Sequence, residues 1–361
     1  MKQTPPKAII FGCSGPELLN EERAFFGECQ PLGFILFARN CKTPEQIRTL
    51  VSDLKRTVSH KNVPILIDQE GGRVVRLTPP LWRDIPPAHV FGQLATVNSD
   101  LAAECVSMNA ELIGHELQEI DVTVNCAPCA DLLIPGSDPI IGDRSFSEHS
   151  EIVARLSLAM IEGLQKQNII PVIKHLPGHG RAPVDSHKEL PVVSSSEQEL
   201  ADSDFKAFRL ICEKIKEKKM QQPWGMTAHV VYNAFDKDTA THSSLIIHNI
   251  IREQIGFEGF LVSDCLTMEA LNGSFSYRTQ KAFEAGCDAI LHCNGHLNEM
   301  IEIAEAAPIL SQTSLERLEK SRITHGKPLS KEQEHLLKSK LENVLKEQNI
   351  EDSLLFSKKQ L

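Results

Sequence analysis

The sequence predicts an α/β protein built as a single (β/α)8 barrel of the TIM type, with a helical extension at its C-terminus. Short runs of β-branched or apolar residues recur along the chain, and segments of helical period lie between them. This alternation is typical of a parallel sheet whose strands are joined by crossover helices. A G-x-G-x-x-G motif opening the first helix would favour a doubly wound sheet instead, and the sequence has none there.

The predicted strands are short and apolar on both faces, as strands buried in a parallel sheet are. Eight runs of this kind are present, which is the number of strands that closes a TIM barrel. In chain order they are Ala8–Phe11, Gly33–Phe37, Pro64–Ile67, Val122–Cys126, Ile169–Ile173, Gly225–Val230, Phe260–Val262 and Ala289–His292.

The predicted helices lie between these strands and show apolar residues at helical spacing. Pro44 and Ser244 are typical helix starts, and Gly256 and Gly286 are typical stops. The segments are Pro44–Val58, Asp100–Ile120, Glu148–Lys166, Glu197–Lys218, Ser244–Ile255 and Arg278–Ala285.

The C-terminal part of the chain is charged and helical in period. Leu337, Leu341, Val344 and Leu345 fall on one stripe of this segment. An apolar stripe of this kind is typical of a helix that covers a core. We therefore expect a catalytic barrel over residues 1–308 and a helical extension over residues 309–361 that packs on the barrel.

Composition excludes several classes of function. The formal net charge is −10 and 5% of residues are aromatic, whereas nucleic-acid binding requires a basic surface. The apolar run Ala8–Phe11 is too short for a signal peptide, and no stretch approaches the roughly 20 apolar residues that span a bilayer. The ten cysteines lack the spacing of a secreted disulfide scaffold, and the Cys126-x-x-Cys129 pair has no partner pair. We expect a cytoplasmic monomer that binds neither nucleic acid nor membranes.

Ionisable residues collect at the ends of the predicted strands. The active sites of TIM barrels lie at the C-terminal ends of the strands, so these residues are expected to meet in one site. In order from the third strand to the seventh, they are Asp68 and Glu70, Asp131, Lys174 and His175, His229, and Asp264.

The densest group of such residues is the segment Lys174–Gly180 with Asp185 and His187 shortly after it. Its glycines and prolines predict a loop. A metal site is one interpretation, because His175, His179, Asp185 and His187 are all ligand types. Against that interpretation, the spacing matches no helical metal motif, and the Lys174 ammonium would stand beside the metal.

Two further segments suit a sugar site. Asp264 ends an apolar strand, where an aspartate is often the N-cap of the next helix, a role that need not exclude a catalytic one. Asp68–Arg73 combines a strand end with glycines that permit a ligand to approach the backbone closely. Carboxylates accept hydrogen bonds from sugar hydroxyls, and guanidinium groups such as those of Arg76 and Arg144 donate them.

With these residues in view, the chain resembles the single-domain bacterial β-N-acetylglucosaminidases of glycoside hydrolase family 3. The matching motifs occur in the family's order and span most of the chain. They are Ile67–Val74, Gly142–Phe146, Lys174–Gly180 followed by Asp185–His187, Met226–His229, and Ser263–Met268. The strand-seven motif departs from the family at Cys265, where a second aspartate is usual, and the loop has Leu176 where an aromatic residue is common.

The resemblance implies a role for each matching position. Asp264 corresponds to the nucleophile, and His187 corresponds to the acid/base, which Asp185 holds in a dyad. The resemblance places the terminal N-acetylglucosamine against Asp68, Arg76, Arg144, Lys174 and His175. It also implies a retaining enzyme without a cofactor, acting in the cytoplasm on 1,6-anhydro-N-acetylmuramyl peptides released during peptidoglycan recycling.

Two other functions stay open at this point. A metal-dependent barrel hydrolase would use the His175, His179, Asp185 and His187 ligand set and would lose activity with chelators. A non-catalytic sugar-binding barrel would have no use for Asp264, Asp185 and His187 together, so their presence argues against it, whereas Cys265 is the one feature in its favour. Fold alone separates neither from a glycosidase, because barrels host many chemistries.

Overall fold

The computed structural model, which describes residues 5–323 and 326–348, is a closed barrel of eight parallel strands. The predicted fold class is therefore confirmed. Each barrel strand pairs with the next along the chain, and the eighth pairs with the first with Ile10 opposite Leu291. The strands are Lys7–Gly12, Pro31–Leu36, Ile65–Ile67, Val124–Asn125, Ile170–Leu176, Trp224–Thr227, Leu261–Cys265 and Ala289–His292.

Helices surround the barrel. Those described are α1 Asn20–Cys29, α2 Pro44–Thr57, α3 Ala88–Val97, α4 Ser99–Gln118, α5 Ser150–Lys166, α6 Glu197–Asp202, α7 Asp204–Lys218, a π-helix Ile246–Gln254, α8 Phe275–Ala285, α9 Leu297–Ala306, α10 Gln312–Lys320 and α11 Lys331–Glu347. Single 3₁₀ turns lie at Ala38–Asn40, Gly142–Arg144 and Ala240–His242. A short parallel pair, Val192–Val193 with Val231–Tyr232, lies outside the barrel.

The prediction of one helix over Glu197–Lys218 is wrong, because the chain breaks at Ser203 into α6 and α7. The break has a local cause. The Arg181 guanidinium donates hydrogen bonds to the Ser203 hydroxyl at 3.0 Å and to the Asp204 carboxylate at 2.6 Å. These contacts hold Ser203 and Asp204 at the start of α7 and connect them to the loop after the fifth strand, which carries Arg181.

Strand residues alternate between two apolar cores. Ile10 and Leu66 point into the barrel, where they pack with the inward residues of the other strands. Ile9 and Ile65 point outward and pack against the helices. Because both faces of each strand are buried, every strand position favours an apolar side chain, which is why the runs were visible in the sequence.

The chain after the eighth strand closes the N-terminal end of the barrel and then covers one side. The Leu310 amide donates to the Pro6 carbonyl at 2.9 Å, and the indole of Trp224 donates to Ser321 Oγ at 2.9 Å. Farther on, α11 packs on α4, where Leu341 and Leu345 are buried in the outer core. The part of the predicted extension beyond residue 348 lies outside the described residues.

Within the described ranges, no helix has the length and apolarity required to cross a bilayer.

Candidate active site

A cavity of about 380 Å³ opens at the C-terminal ends of the barrel strands. Its size falls in the range of pockets that hold small molecules. Every residue that the resemblance assigned to the site lines this cavity except Asp185, which lies behind His187. Of the other ionisable residues expected at the strand ends, Glu70 lines the cavity, whereas Asp131 and His229 do not. The lining residues that were predicted are Asp68, Arg76, Arg144, Lys174, His175, His187 and Asp264.

One side of the cavity is a network of partly buried ion pairs. Lys174 Nζ lies 2.9 Å from Asp68 Oδ1 and 2.6 Å from Glu70 Oε1. Arg144 donates two hydrogen bonds of 2.9 Å to Glu70, and Arg76 contacts Asp68 at 3.1 Å. These contacts fix three cations and two carboxylates, so a ligand meets donors and acceptors that are already in position.

These charges support one another. Burial alone would raise the pKa of Asp68 and Glu70, but the neighbouring cations outweigh it and hold both below their ordinary values. For Glu70 the dominant cation is Arg144, and for Asp68 it is Lys174. Burial alone would lower the pKa of Lys174, but Asp68 and Glu70 raise it. All of these groups are therefore charged at neutral pH.

Asp264 lies at the end of the seventh strand, and its carboxylate faces the cavity. Its Oδ1 accepts a hydrogen bond from the Cys265 amide at 2.7 Å. Burial would raise the pKa of Asp264, but His175, His229 and His187 outweigh it and lower the pKa. The N-cap interpretation of Asp264 is wrong, because the chain continues as strand through Cys265 and the next helix, α8, begins at Phe275.

His175 is held against Asp264 by a buried carboxylate. Asp131 Oδ2 lies 2.7 Å from His175 Nδ1, and this leaves Nε2 at 4.0 Å from Asp264 Oδ2. Asp131 also accepts the His179 amide at 2.6 Å. Burial would raise the pKa of Asp131, but His175 outweighs it and brings the pKa to about 2. Asp131 is thus a buried carboxylate that does not line the cavity itself but holds His175, which does.

His187 reaches the cavity from the loop and is oriented by Asp185. Asp185 Oδ1 lies 2.9 Å from His187 Nδ1 and accepts the His187 amide at 2.9 Å. Burial would raise the pKa of Asp185, but these hydrogen bonds lower it. The His187 side chain is 59% exposed, and no group in the described part of the chain is hydrogen-bonded to its Nε2. That nitrogen is available to a molecule in the cavity.

Comparison with known proteins places the chain in a family. The model of the glycosyl hydrolase family 3 N-terminal domain matches residues 19–324. The chain belongs to glycoside hydrolase family 3. It is a glycoside hydrolase, as the sequence predicted.

Relatives within the family match over most of the chain. A β-hexosaminidase of Tolumonas auensis is 37% identical over 289 residues, which are 79% of this chain and 82% of that one. NagZ from Neisseria gonorrhoeae, solved in its native form and in complex with N-trifluoroacetyl-D-glucosamine, matches with a TM-score of 0.80 and 30% identity over 99% of this chain and 98% of that one. A family 3 β-N-acetylglucosaminidase from a Paenibacillus strain matches with a TM-score of 0.74 and 28% identity, over 95% of this chain and 62% of that one.

The family 3 loop that carries Asp185 and His187 is anchored at several points. The Tyr232 hydroxyl donates to the Gly178 carbonyl. The Ser186 hydroxyl lies 2.9 Å from His179 Nε2, and the Ser186 backbone carbonyl accepts a hydrogen bond from the Ala270 amide at 3.2 Å. A Cβ on Gly180 would lie 2.3 Å from the Leu132 carbonyl oxygen. The glycine at this position therefore permits close packing, in addition to the loop bend that the sequence predicted.

The metal-ligand set proposed from the sequence is not assembled in this family 3 barrel. His175 is paired with Asp131, His187 with Asp185, and His179 with Ser186. Within the described ranges, the group of potential ligand atoms that does lie close together is Cys129, Asp131 and His175. The members of this group already contact one another, because Cys129 Sγ donates to Asp131 Oδ2 at 3.3 Å.

Sequence reasoning assigned no role to three residues that shape the site. Glu70 completes the ion-pair network, Asp131 orients His175, and His229 lies buried between Thr241 Oγ1 at 2.7 Å and the Cys265 carbonyl at 3.0 Å. Each stands at a strand end, so the signal was present. Their partners are far apart in sequence, which is why spacing alone did not assign them.

Proposed function

We propose that this chain is a retaining exo-β-N-acetylglucosaminidase, which hydrolyses terminal β-linked N-acetylglucosamine through a covalent glycosyl-enzyme. The observation that carries the proposal is that the ionised Asp264 carboxylate and the Asp185-oriented imidazole of His187 line the same cavity. Retention requires a nucleophile and an acid/base that both reach the scissile bond.

Asp264 is the nucleophile in this proposal. Its carboxylate attacks the anomeric carbon, the bond to the leaving-group oxygen breaks, and the His187 imidazolium gives its proton to that oxygen. In the second half, the now neutral His187 takes a proton from water, which attacks the anomeric carbon and releases Asp264. The lowered pKa of Asp264 keeps the carboxylate in its nucleophilic form at neutral pH.

Histidine is a chemically suitable acid/base for these two steps. An imidazole has an ordinary pKa of about 6.5, so near neutral pH it both donates and accepts a proton. Asp185 Oδ1 lies 2.9 Å from His187 Nδ1 and thereby holds the ring in one orientation. The proton to be transferred is then carried on Nε2, the nitrogen that has no partner among the described residues.

The ion-pair network supports recognition of a sugar. Asp68, Arg76, Arg144 and Lys174 offer charged hydrogen-bond partners for hydroxyls at one end of the cavity. Support for an N-acyl glucosamine comes from the relative solved with N-trifluoroacetyl-D-glucosamine and from the relatives named β-hexosaminidase. His175, 4.0 Å from Asp264, would lie next to the anomeric carbon.

The natural substrate we propose is an N-acetylglucosaminyl-1,6-anhydro-N-acetylmuramyl peptide, a small molecule released during peptidoglycan recycling. This finer assignment follows from the resemblance to single-domain family 3 enzymes. Action in the cytoplasm as a monomer, without a metal or another cofactor, belongs to the same proposal.

The first test measures 4-nitrophenol release from 4-nitrophenyl N-acetyl-β-D-glucosaminide near neutral pH with EDTA present. Wild type should be active, and Asp264→Asn should lose about 10⁴-fold or more in kcat, since the loss of a nucleophile or its partner costs this much in comparable enzymes. His187→Ala should lose less on this substrate than on one with a poor leaving group, because a good leaving group needs little protonation. Proton NMR of the first product should show the β anomer.

His335→Ala is the matched histidine control, because His335 is exposed on α11 and outside the cavity. It should behave as wild type. Activity that vanishes with EDTA and returns with zinc or manganese would replace this proposal with the metal-dependent hydrolase. A folded wild type without activity in either condition would favour a non-catalytic sugar-binding barrel.

A further inference from the structure

Two cysteines line the active-site cavity next to Asp264. Cys265 is the last residue of the seventh barrel strand and follows Asp264 directly, and Cys293 follows the eighth strand. Each is 9% exposed, and both line the cavity. The mechanism proposed above uses neither thiol.

The strand register brings the two thiols together. Cys265 pairs with Leu291 on the neighbouring strand, and Cys293 lies two residues beyond Leu291. Residues two apart on a strand share a face, so Cys293 points into the barrel on the same side as Cys265. Both belong to the inner core and line the same cavity.

The two thiols differ in acidity. The neighbouring Cys293 and Thr267 lower the pKa of Cys265, although burial acts in the opposite direction. The Thr267 hydroxyl lies 3.0 Å from Cys265 Sγ. The neighbouring Cys265 and burial raise the pKa of Cys293. Burial also raises the pKa of the other eight cysteines: Cys13, Cys29, Cys41, Cys105, Cys126, Cys129, Cys212 and Cys287.

We propose that Cys265 and Cys293 form a peroxide-reactive dithiol whose oxidation to a disulfide reversibly closes the sugar site. A thiol of lowered pKa that lines an open cavity beside a second thiol resembles the arrangement found in redox-sensing cysteine pairs. The proposed function is required for the effect on turnover, whereas the disulfide itself can be detected without it.

The chemistry balances with hydrogen peroxide as the oxidant. The Cys265 thiolate attacks one peroxide oxygen, the O–O bond breaks, and a sulfenic acid forms while the other oxygen leaves as water after taking a proton. The Cys293 thiol then attacks the Cys265 sulfur, which expels the sulfenic oxygen as a second water and forms the S–S bond. In total, two thiols lose two electrons and two protons to one peroxide, and an external dithiol reverses the change.

Disulfide formation would alter the position of the nucleophile. The Asp264 carboxylate accepts a hydrogen bond from the Cys265 amide. A disulfide that draws the Cys265 backbone toward Cys293 therefore moves this amide and, with it, the carboxylate. A displacement of about 1 Å is enough to cost roughly 100-fold in rate at a catalytic group. The disulfide also replaces two small thiols with a rigid group inside the cavity.

In the test, the reduced full-length protein is treated with increasing concentrations of hydrogen peroxide. The remaining thiols are alkylated after denaturation, and the peptides are mapped by mass spectrometry. Wild type should yield a Cys265–Cys293 cross-linked peptide, and release of 4-nitrophenol should fall roughly 100-fold and return with dithiothreitol. Cys293→Ser should form no cross-link, and dimedone should trap its Cys265 as a sulfenic acid. Cys265→Asp should keep its own untreated rate after peroxide.

Cys287→Ser is the matched control. Cys287 is a buried thiol outside the cavity, with Sγ 3.9 Å from the Thr241 carbonyl oxygen, so this variant should form the disulfide as wild type does. If Cys265 and Cys293 are each found alkylated on separate peptides after peroxide treatment, the proposal that they form a reactive dithiol is overturned. A cross-link that leaves the rate unchanged would overturn the closure of the site. A wild type that forms the cross-link but never cleaves the glycoside would refute the proposed function and leave the dithiol standing.

Discussion

At the scale of single residues, the chemistry of the site depends on carboxylates that orient the histidines facing the cavity. Asp131 orients His175, and Asp185 orients His187, each through an Nδ1 contact that leaves Nε2 facing the cavity. The resemblance to family 3 implied the second pair, whose members are two residues apart on one loop. It did not reveal the first pair, because Asp131 and His175 lie on different strands and meet through the barrel register.

The Asp185 carboxylate should support acid/base catalysis by His187. Asp185→Asn keeps the size of the side chain but removes the charge that holds His187 Nδ1, so kcat near neutral pH should fall. The expected reduction is roughly 10²- to 10⁴-fold, the usual contribution of an acid/base group. The measurement compares kcat on two N-acetyl-β-glucosaminides, one with a good and one with a poor leaving group, and the loss should be larger with the poor one. An equal loss on both substrates in the folded variant would argue against the dyad.

At the scale of elements, strands were easier to predict than helices. A strand buried on both faces leaves an unbroken apolar run, and all eight runs fall on barrel strands. The helices α1, α3 and α9 were missed. In α3, the buried Val90, Phe91 and Leu94 are mixed with other apolar residues, so the segment shows little contrast between its faces.

The ion-pair network that joins the third and fifth strands should be essential for stability. Lys174→Met leaves Asp68 and Glu70 buried with fewer cations, and breaking a buried pair in this way costs about 3–5 kcal/mol. We expect this loss in the free energy of unfolding at neutral pH, measured by urea denaturation. Lys214→Met removes an exposed pair with Glu217 and should leave the free energy of unfolding nearly unchanged.

The same network gives wild type a pH dependence of stability. The pKa values of Asp68 and Glu70 are lower in the folded protein than their ordinary values near 4. Their contribution is therefore fully present above about pH 4 and is lost as the pH falls toward the folded-state values. Urea denaturation across this acidic range should show wild-type stability falling, and the difference from Lys174→Met should shrink with it. A difference that stays constant into acid would contradict the network's role.

At the scale of the whole molecule, the extension after the eighth strand is integrated with the barrel. Leu310 is hydrogen-bonded to Pro6, just before the first barrel strand, and Ser321 is hydrogen-bonded to Trp224 in the sixth. The helix α11 packs on α4. Sequence periodicity predicted that the segment packs on the barrel, because its apolar stripe requires a partner. The sequence did not indicate which face α11 covers, since that depends on the path of the chain after Ser321.

We expect this extension to unfold together with the barrel as one unit. Leu341 on α11 is buried in the same outer core as the barrel helices, so Leu341→Ala should lower the free energy of unfolding by about 2–5 kcal/mol. Leu336 on the same helix is 66% exposed, and Leu336→Ala should change it by less than about 0.5 kcal/mol. The measurement follows thermal unfolding by circular dichroism and by the fluorescence of the buried Trp224, which lies in the sixth barrel strand. If the extension belongs to the barrel's folding unit, Leu341→Ala lowers the midpoint temperature of both signals by the same amount. If the midpoint of the Trp224 signal is unchanged while that of the circular dichroism signal falls, α11 is a separate unit that docks on a barrel stable without it.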